Sequence, residues 1–376
     1  MKMWNDRGQT LIFVVLAMVV ILGLAALAID VGYMYSVRHE LQRSADAGAL
    51  AGGSRFIESG GEWSTDITAP AMVEADARAR EFAAKDNVVA SQLDQTAEVD
   101  VEFPSEGRIR VTTHRTVPMF FAKVFNRNIQ AIRATAVAEA AVADRSVKCL
   151  QPWGIPIPWN DANNNDRFDP PPAGNEETWD LNNIPEGTRM ILKIGEPYNK
   201  SDNTLDIPTL QQEAGHFFGL AMCGDTGAAD YKKRIEDPCW DSCGIDNNSP
   251  VPVEPGNMVG PTKHAVDELI RDDRNATWVG PEGGVRREDW VTGSDPKYGG
   301  WEKSPRLVKI PLYDPANMLS QGRTEIIVAG FAAFWLEGYE PGQGTVTALF
   351  VSAMIEGSST SGPAPGLGLR VLRLVE

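Results

Sequence analysis

Histidine is scarce in this chain, and its four copies, His39, His114, His216 and His264, are scattered. No His-Glu-x-x-His, Gly-x-Ser-x-Gly or Walker A string occurs. The usual sequence marks of a zinc peptidase, a serine hydrolase or a P-loop NTPase are therefore missing. Glu213 and His216 stand three residues apart, but pairs of this kind arise freely on surfaces and do not make a catalytic site alone. Basic side chains are also in deficit. Against 51 Asp and Glu there are 35 Lys and Arg, a net charge of −16. That balance argues against nucleic acid as a partner and against docking on anionic lipid through a polybasic patch. Cysteine is absent until position 149.

Charge is missing altogether from one stretch. Thr10 to Ile29 is a run of twenty residues without an ionisable side chain, and Asp30 ends it. At 1.5 Å per residue, such a helix spans the roughly 30 Å hydrocarbon core of a bilayer. The leader Met1–Gln9 carries Lys2 and Arg7 against Asp6, so the positive-inside tendency puts the N-terminus in the cytoplasm. Ala26-Leu27-Ala28 offers a signal-peptidase alternative, and cleavage after Gly8 a prepilin alternative. The run is longer than a secretory apolar region and its helical pattern continues past Asp30, which favours a retained anchor. The prepilin reading is weakened by Phe13, where a Glu is usual.

In an exported segment, the even set Cys149, Cys223, Cys239 and Cys243 favours disulfides, with three pairings open. No His lies at ligand spacing beside them, so zinc is the weaker reading.

Helical spacing continues through Val37, Leu41, Ala45 and Ala49. Asp46 to Gly53 is almost wholly small residues, suited to close packing on its own domain or, less simply, on a partner helix. A second helix opens at Pro70. Residues 97–103 and 108–113 alternate as a hairpin around residues 105–107, residues 117–125 read as a short apolar helix, and residues 128–140 as one long strand. Beyond Cys149 the chain turns rich in Pro, Gly, Asn and Asp and holds eight of the ten Trp. Strands are expected at 189–194, 306–312, 325–330, 331–335 and 344–351, and a helix at 263–271. Most of the Trp residues are expected to fill the core of a domain with little regular structure. The turn strings at 254–257 and 260–262 read as rigid loops positioning neighbouring strands.

The fold class is thus α+β. A leader (1–9) and a transmembrane helix (10–29) precede a helical stalk with a small membrane-proximal α+β domain (30–148). A β-rich, loop-heavy, disulfide-containing exported domain (149–376) follows.

Arg7-Gly-Gln-Thr, Ile29-Asp-Val-Gly-Tyr33 and Leu41-Gln-Arg-Ser-Ala-Asp-Ala-Gly-Ala-Leu-Ala-Gly52 together resemble the N-terminal module of the Tad (tight adherence) pilus-assembly family, TadE/TadG-like. Ser44 and Gly48 depart from that pattern at two small positions. Thr116–Ala122 and the Ala-rich strand extend the likeness to about residue 143. Many larger members of the family carry a von Willebrand A domain, but its Asp-x-Ser-x-Ser string is absent here. Cys149–Ile155, Gly215–Leu220, Glu254–Thr262 and Val328–Ala332 resemble the C-terminal region of other Tad-type proteins, and no activity comes with that likeness. The resemblance implies a single-pass inner- or plasma-membrane protein, non-catalytic, working in Tad/Flp pilus assembly or surface adhesion. Its partners would be other Tad membrane proteins or pilins, with the lipid bilayer around residues 10–29.

One local string could hold a metal. Asp161, Asn163 and Asn165, with Arg167 through its carbonyl and Asp169, match the first nine positions of an EF-hand-like calcium loop. Asp166 replaces the usual Gly, and Pro172 stands where the bidentate Glu belongs. An Asx-rich turn satisfying its own backbone accounts equally well for the string. The alternative function is accordingly a calcium-dependent extracytoplasmic binding or adhesion module.

Overall fold

The computed structural model describes residues 7–58, 63–64, 66–157, 184–194, 219–281, 285–313, 325–340, 344–354 and 369–375. The chain divides into two compact units. One holds Met1–Arg55, Trp63–Glu139 and Arg373–Glu376, and the other Phe56–Glu62 and Ala140–Leu372.

A single helix, α1 (Arg7–Glu58), runs for 52 residues without a break and belongs to the first unit as far as Arg55. At the usual rise it is about 78 Å long. Past Asp30 its inner face is Val37, Leu41, Ala45 and Ala49, a four-residue period that keeps one stripe on the core. Helix α2 (Pro70–Ala83) starts at a proline, whose missing N–H costs nothing in the first turn. It buries Met72, Ala75, Ala79 and Ala83.

A short hairpin, β1 (Asn87–Val88) and β2 (Ser91–Gln92), leads into an antiparallel meander of β3 (Val99–Glu102), β4 (Arg108–Pro118) and β5 (Ile129–Val142). On β4, Ile109, Val111, Thr113 and Val117 point inward, the period of two expected of a sheet with one buried face. Hydrogen bonds fix α1 to the sheet at two points. Thr113 Oγ1 donates to the Leu41 carbonyl at 2.9 Å, and Gln42 Nε2 to the Thr135 carbonyl at 3.0 Å. The buried Glu139 carboxylate is paired by Arg108 at 2.6 Å and Arg373 at 2.9 Å.

The small-residue stretch packs within this unit. A Cβ added at Gly48 would meet the Ala79 carbonyl at 2.8 Å and the Ala83 Cβ at 2.9 Å. One added at Gly52 would meet Ile109 Cδ1 at 2.5 Å. Close backbone approach explains why small side chains recur here, and α2 and β4 already occupy the face.

Two expectations need correction. Residues 117–125 are not one helix. β4 continues to Pro118, paired with Ile129, and only Ala122–Phe125 forms a 3-10 turn. Residues 325–330 and 331–335 are not two strands but one, as described next.

The second unit is built on a six-stranded sheet. Its strands are β7 (Ile155–Pro156), β8 (Arg189–Lys193), β10 (Pro250–Pro252), β13 (Leu307–Tyr313), β14 (Glu325–Glu340) and β15 (Thr345–Val351). The order is β7-β13-β14-β15-β8, with β10 also on β14, and only β7–β13 is parallel. β14 runs through Gly330 because a register shift opposite Leu312 and Tyr313 absorbs the irregularity as a bulge. Two small pairs complete the unit, β6 (Val147–Lys148) with β9 (Gly244–Ile245) and β11 (Thr277–Trp278) with β12 (Val291–Thr292). β16 (Ala353–Met354) pairs in parallel with β17 (Leu369–Leu374), and both belong to the five-stranded sheet of order β16-β17-β5-β4-β3.

Helices α3 (Gly227–Glu236) and α4 (Val259–Asp272) supply Tyr231, Ile235, Ala265, Val266 and Leu269 to one core. Residues 254–257 link β10 to α4, and residues 260–262, expected as a rigid loop, form the first turn of α4. Glu254 accepts from the Gly227 N–H at 3.2 Å, and Met258 caps α4. The other core holds Trp290, Trp301 and Trp335 beside the half-buried Trp278, with neighbouring ring centroids 5.9 to 6.4 Å apart. The Arg287 guanidinium lies 4.8 Å from the Trp290 ring centroid, and Arg306 4.9 Å from that of Trp335. Arg306 also donates to the Leu336 and Ala276 carbonyls at 2.9 and 2.7 Å, so this buried cation is hydrogen-bonded as it must be.

The cysteines pair as Cys149–Cys239 and Cys223–Cys243, spanning 90 and 20 residues. β6 ends just before Cys149 and β9 begins just after Cys243, so the two-stranded ladder and the bonds lock the same region. Arg234, 1 % exposed, ties α3 to it through Asp225 and through Asp241, at 2.8 Å.

Gly48→Ala gains helix propensity but forces backbone apart, and we expect a net loss of about 1–2 kcal/mol in unfolding free energy. Gly32→Ala meets nothing within 4 Å and should stabilise helix α1 by about 0.5–1 kcal/mol. Lys193 on β8 is fully buried, donates to the Ile194 carbonyl at 3.0 Å and to that of Asn257, and has its pKa pulled down by burial to about 8. An unfolded lysine titrates near 10.4, so between about pH 8 and pH 10 the unfolded chain holds more protons and stability rises with pH. Below that window the protonated fold carries the full penalty, roughly 3 kcal/mol. The urea midpoint should therefore climb from about pH 7.5 to pH 9.5 in the native chain and stay flat in Lys193→Met.

Candidate functional site

Among the described residues, the longest run of exposed apolar side chains lies on α1. From Phe13 to Val31 every large apolar side chain of α1 is exposed, between 49 and 71 %. By length and composition this helix can cross a bilayer. Asp30 interrupts the apolar surface and is itself only 2 % exposed. Its carboxylate accepts from the backbone N–H groups of Phe120 at 2.9 Å, Phe121 at 3.0 Å and Ala122 at 2.7 Å.

Those amides open the 3-10 turn Ala122–Phe125, where a backbone leaves N–H groups without internal acceptors. One carboxylate on α1 meets all three, so the β4–β5 tip is fastened where the apolar run stops. The Tyr33 ring supports the clamp, edge-on to Phe120 with centroids 5.1 Å apart. The tip closes on itself through Met119 N–H to the Asn128 carbonyl at 3.0 Å, and Asn126 takes the left-handed conformation at φ 60°. Just beyond, Val31, Met34, Tyr35, Arg38, Ile132 and Arg133 line an open groove of about 330 Å³ between α1 and β5. Its arginines put two cations over an apolar floor.

The calcium string Asp161, Asn163, Asn165, Arg167 and Asp169 lies outside the described residues, as do Glu213 and His216. Among the described residues no group of three or more His, Cys, Asp or Glu could hold a metal ion. His264 is exposed on α4, and His114 sits 3.5 Å from Asp100 at the sheet surface. His39 packs edge-on against Tyr35. Cys149 is in a disulfide. The residues that sequence patterns overlooked are Phe120, Phe121 and Ala122. Their signal was an apolar string, residues 117–125, too short and proline-broken for a buried helix.

Residues 8–55 match the family model described as putative Flp pilus-assembly TadE/G-like. The chain thus carries a TadE/G-like segment, and that segment coincides with the portion of α1 inside the first unit. No curated protein and no solved structure matches the chain.

Asp30 is therefore a positioning residue within the TadE/G-like segment. In Asp30→Ala, the amides of Phe120, Phe121 and Ala122 should lose their protection from hydrogen exchange, while that of Val111 in the β4–β5 ladder keeps it. Asp30→Asn, with one acceptor oxygen left, should fall between. Unchanged exchange at 120–122 in Asp30→Ala would show that the clamp does not hold the tip.

Proposed function

We propose that this chain is a membrane-anchored, non-catalytic component of a Tad/Flp-type pilus-assembly machine. The TadE/G-like segment supports the pilus-assembly role. The anchor rests on the exposed apolar surface from Phe13 to Val31, which water solvates poorly and a hydrocarbon layer solvates well. The leader charges Lys2 and Arg7 favour a cytoplasmic N-terminus, with the rest of the chain periplasmic or extracellular. Cystine bonds at Cys149–Cys239 and Cys223–Cys243 suit an oxidising compartment and so agree with that orientation. Because α2 and β4 cover the Gly48 and Gly52 face, contacts with other Tad proteins or pilins fall to the apolar half of α1.

The test has two readings from one preparation. Photo-crosslinking from Leu22 of the full chain, in membranes that hold a Tad/Flp machine, should trap pilus-assembly proteins or pilins. The recovered chain should retain its original N-terminus. A mature chain starting at Ile29 would overturn the anchor, one starting at Gln9 would return a pilin-like fate, and adducts limited to lipid would overturn the partner assignment.

A further inference from the structure

The surface around the Asp30 clamp is unlike the rest of this acidic chain. Between Glu106 and Glu139 no Asp or Glu occurs, while Arg108, Arg110, Arg115, Lys123, Arg127 and Arg133 do. The first three are spent on Glu139, Glu102 and Glu98 within the sheet. Lys123 and Arg127 stay exposed on the β4–β5 tip. Around them four large apolar side chains also face outward: Phe120 at 54 %, Phe121 at 44 %, Val124 at 84 % and Ile129 at 65 %.

Single exposed apolar residues are ordinary, but four on one short turn, among cations and with the buried Asp30 as the acid against it, are not. The position of the turn says what covers it. Twenty residues from Thr10 to Ile29 match the thickness of a hydrocarbon core, which puts its boundary at about Asp30. The clamp bonds of 2.7 to 3.0 Å hold Phe120–Ala122 at that level. The tip therefore shares a depth with Ile29 and Val31, which are exposed on the same helix.

We propose that residues 119–129 form a second membrane contact. Phe120, Phe121, Val124 and Ile129 enter the interfacial layer of an anionic bilayer, and Lys123 and Arg127 meet its phosphates. This rests on the reading that α1 crosses that bilayer. Interfacial segments of this kind combine a buried apolar face with cations facing anionic headgroups. Asp30, a carboxylate that hydrocarbon would exclude, is stabilised by three N–H donors at the one level where the chain has to turn both ways. The whole-chain charge of −16 conceals the patch because the acids are elsewhere in the sequence.

The test uses the full chain in vesicles of equal parts phosphatidylglycerol and phosphatidylcholine, with no other protein. All four native cysteines are in disulfides, so a single introduced thiol can carry a polarity-sensitive fluorophore. Probes are placed by Val124→Cys, by Leu22→Cys in the span and by Glu106→Cys at the exposed far turn. Nitroxide lipids labelled near the top or near the end of the acyl chain then act as depth gauges. The Val124 probe should shift to the blue and lose emission mainly to the shallow label, Leu22 mainly to the deep one, and Glu106 to neither. A Val124 probe that behaves like Glu106, while Leu22 is quenched, overturns this inference and leaves the span standing. If Leu22 also escapes quenching, the anchor fails and the tip contact fails with it. Adding Lys123→Glu and Arg127→Glu to the Val124 probe should reduce its shallow quenching without changing Leu22. Equal quenching would overturn the role of the phosphates.

Discussion

One carboxylate reconciles two demands placed on a single helix. α1 is continuous from Arg7 to Glu58, yet its first half is apolar on every side and its second half carries one buried stripe. A helix cannot change its environment without something at the junction to fix where the change occurs. Asp30 does so by accepting three N–H groups from residues 120–122, ninety positions later. A charged carboxylate with several backbone donors is strongly held in its ionised form. The same bonds orient β4 and β5, because the tip they capture is the connection between those strands. Replacing Asp30 would therefore loosen both the turn and its register against the helix, whereas a change at Gly23, with nothing within 4 Å, touches neither.

Packing then takes over from hydrogen bonding. Gly48 and Gly52 let α2 and β4 approach α1 closely, and the Thr113 and Gln42 bonds prevent the helix from rotating on that surface. The second unit solves a different problem. Its sheet is buried on both faces, and β15 is buried at all seven positions. Helices α3 and α4 fill one core, and the segment from Trp278 to Trp301 fills the other with large rigid side chains and satisfied charges. Arg287 illustrates the economy of this arrangement. It stacks on Trp290 and Trp301, pairs with Glu186 and Glu302 at 3.2 and 3.1 Å, and donates to the Ser352 carbonyl. Removing one partner from such a set leaves a buried charge unpaired, which is far worse than losing the pair as a whole.

The legible features were those with local causes. Alternation in β4 and β5 was readable because one face is buried, and α4 because Ala265, Val266 and Leu269 keep helical spacing. The apolar run and the motifs around it announced the TadE/G-like segment. Helix α3 was not readable. Its sequence offers only Tyr231 and Ile235 to a core, and what holds it is the Arg234 pair with Asp225 and Asp241, a tertiary effect. β14 read as two strands because Gly330 resembles a break, whereas a bulge beside β13 lets the ladder continue. Disulfide pairing across 90 residues has no local signature. Asp30 was visible as the end of a hydrophobic run, but its partners were not, since sequence distance hides the turn that meets it.

Charge separation along the chain carries the final step. A net charge of −16 suggests a body that anionic lipid repels, and an average over 376 residues permits no other reading. Screening limits each charge to about 8 Å at physiological salt, so only the charges nearest a surface decide how it is received. Where α1 leaves its apolar run, Asp30 is buried, and the charges that reach the surface are Lys123 and Arg127 on the tip, with Arg38 and Arg133 lining the groove beside it. Glu102 and Glu106, the acids preceding this stretch, lie at the β3–β4 turn, at the opposite end of β4 from the clamp. An acidic exterior and a basic collar around the helix are thus compatible. The proposed membrane contact at residues 119–129 depends only on the second.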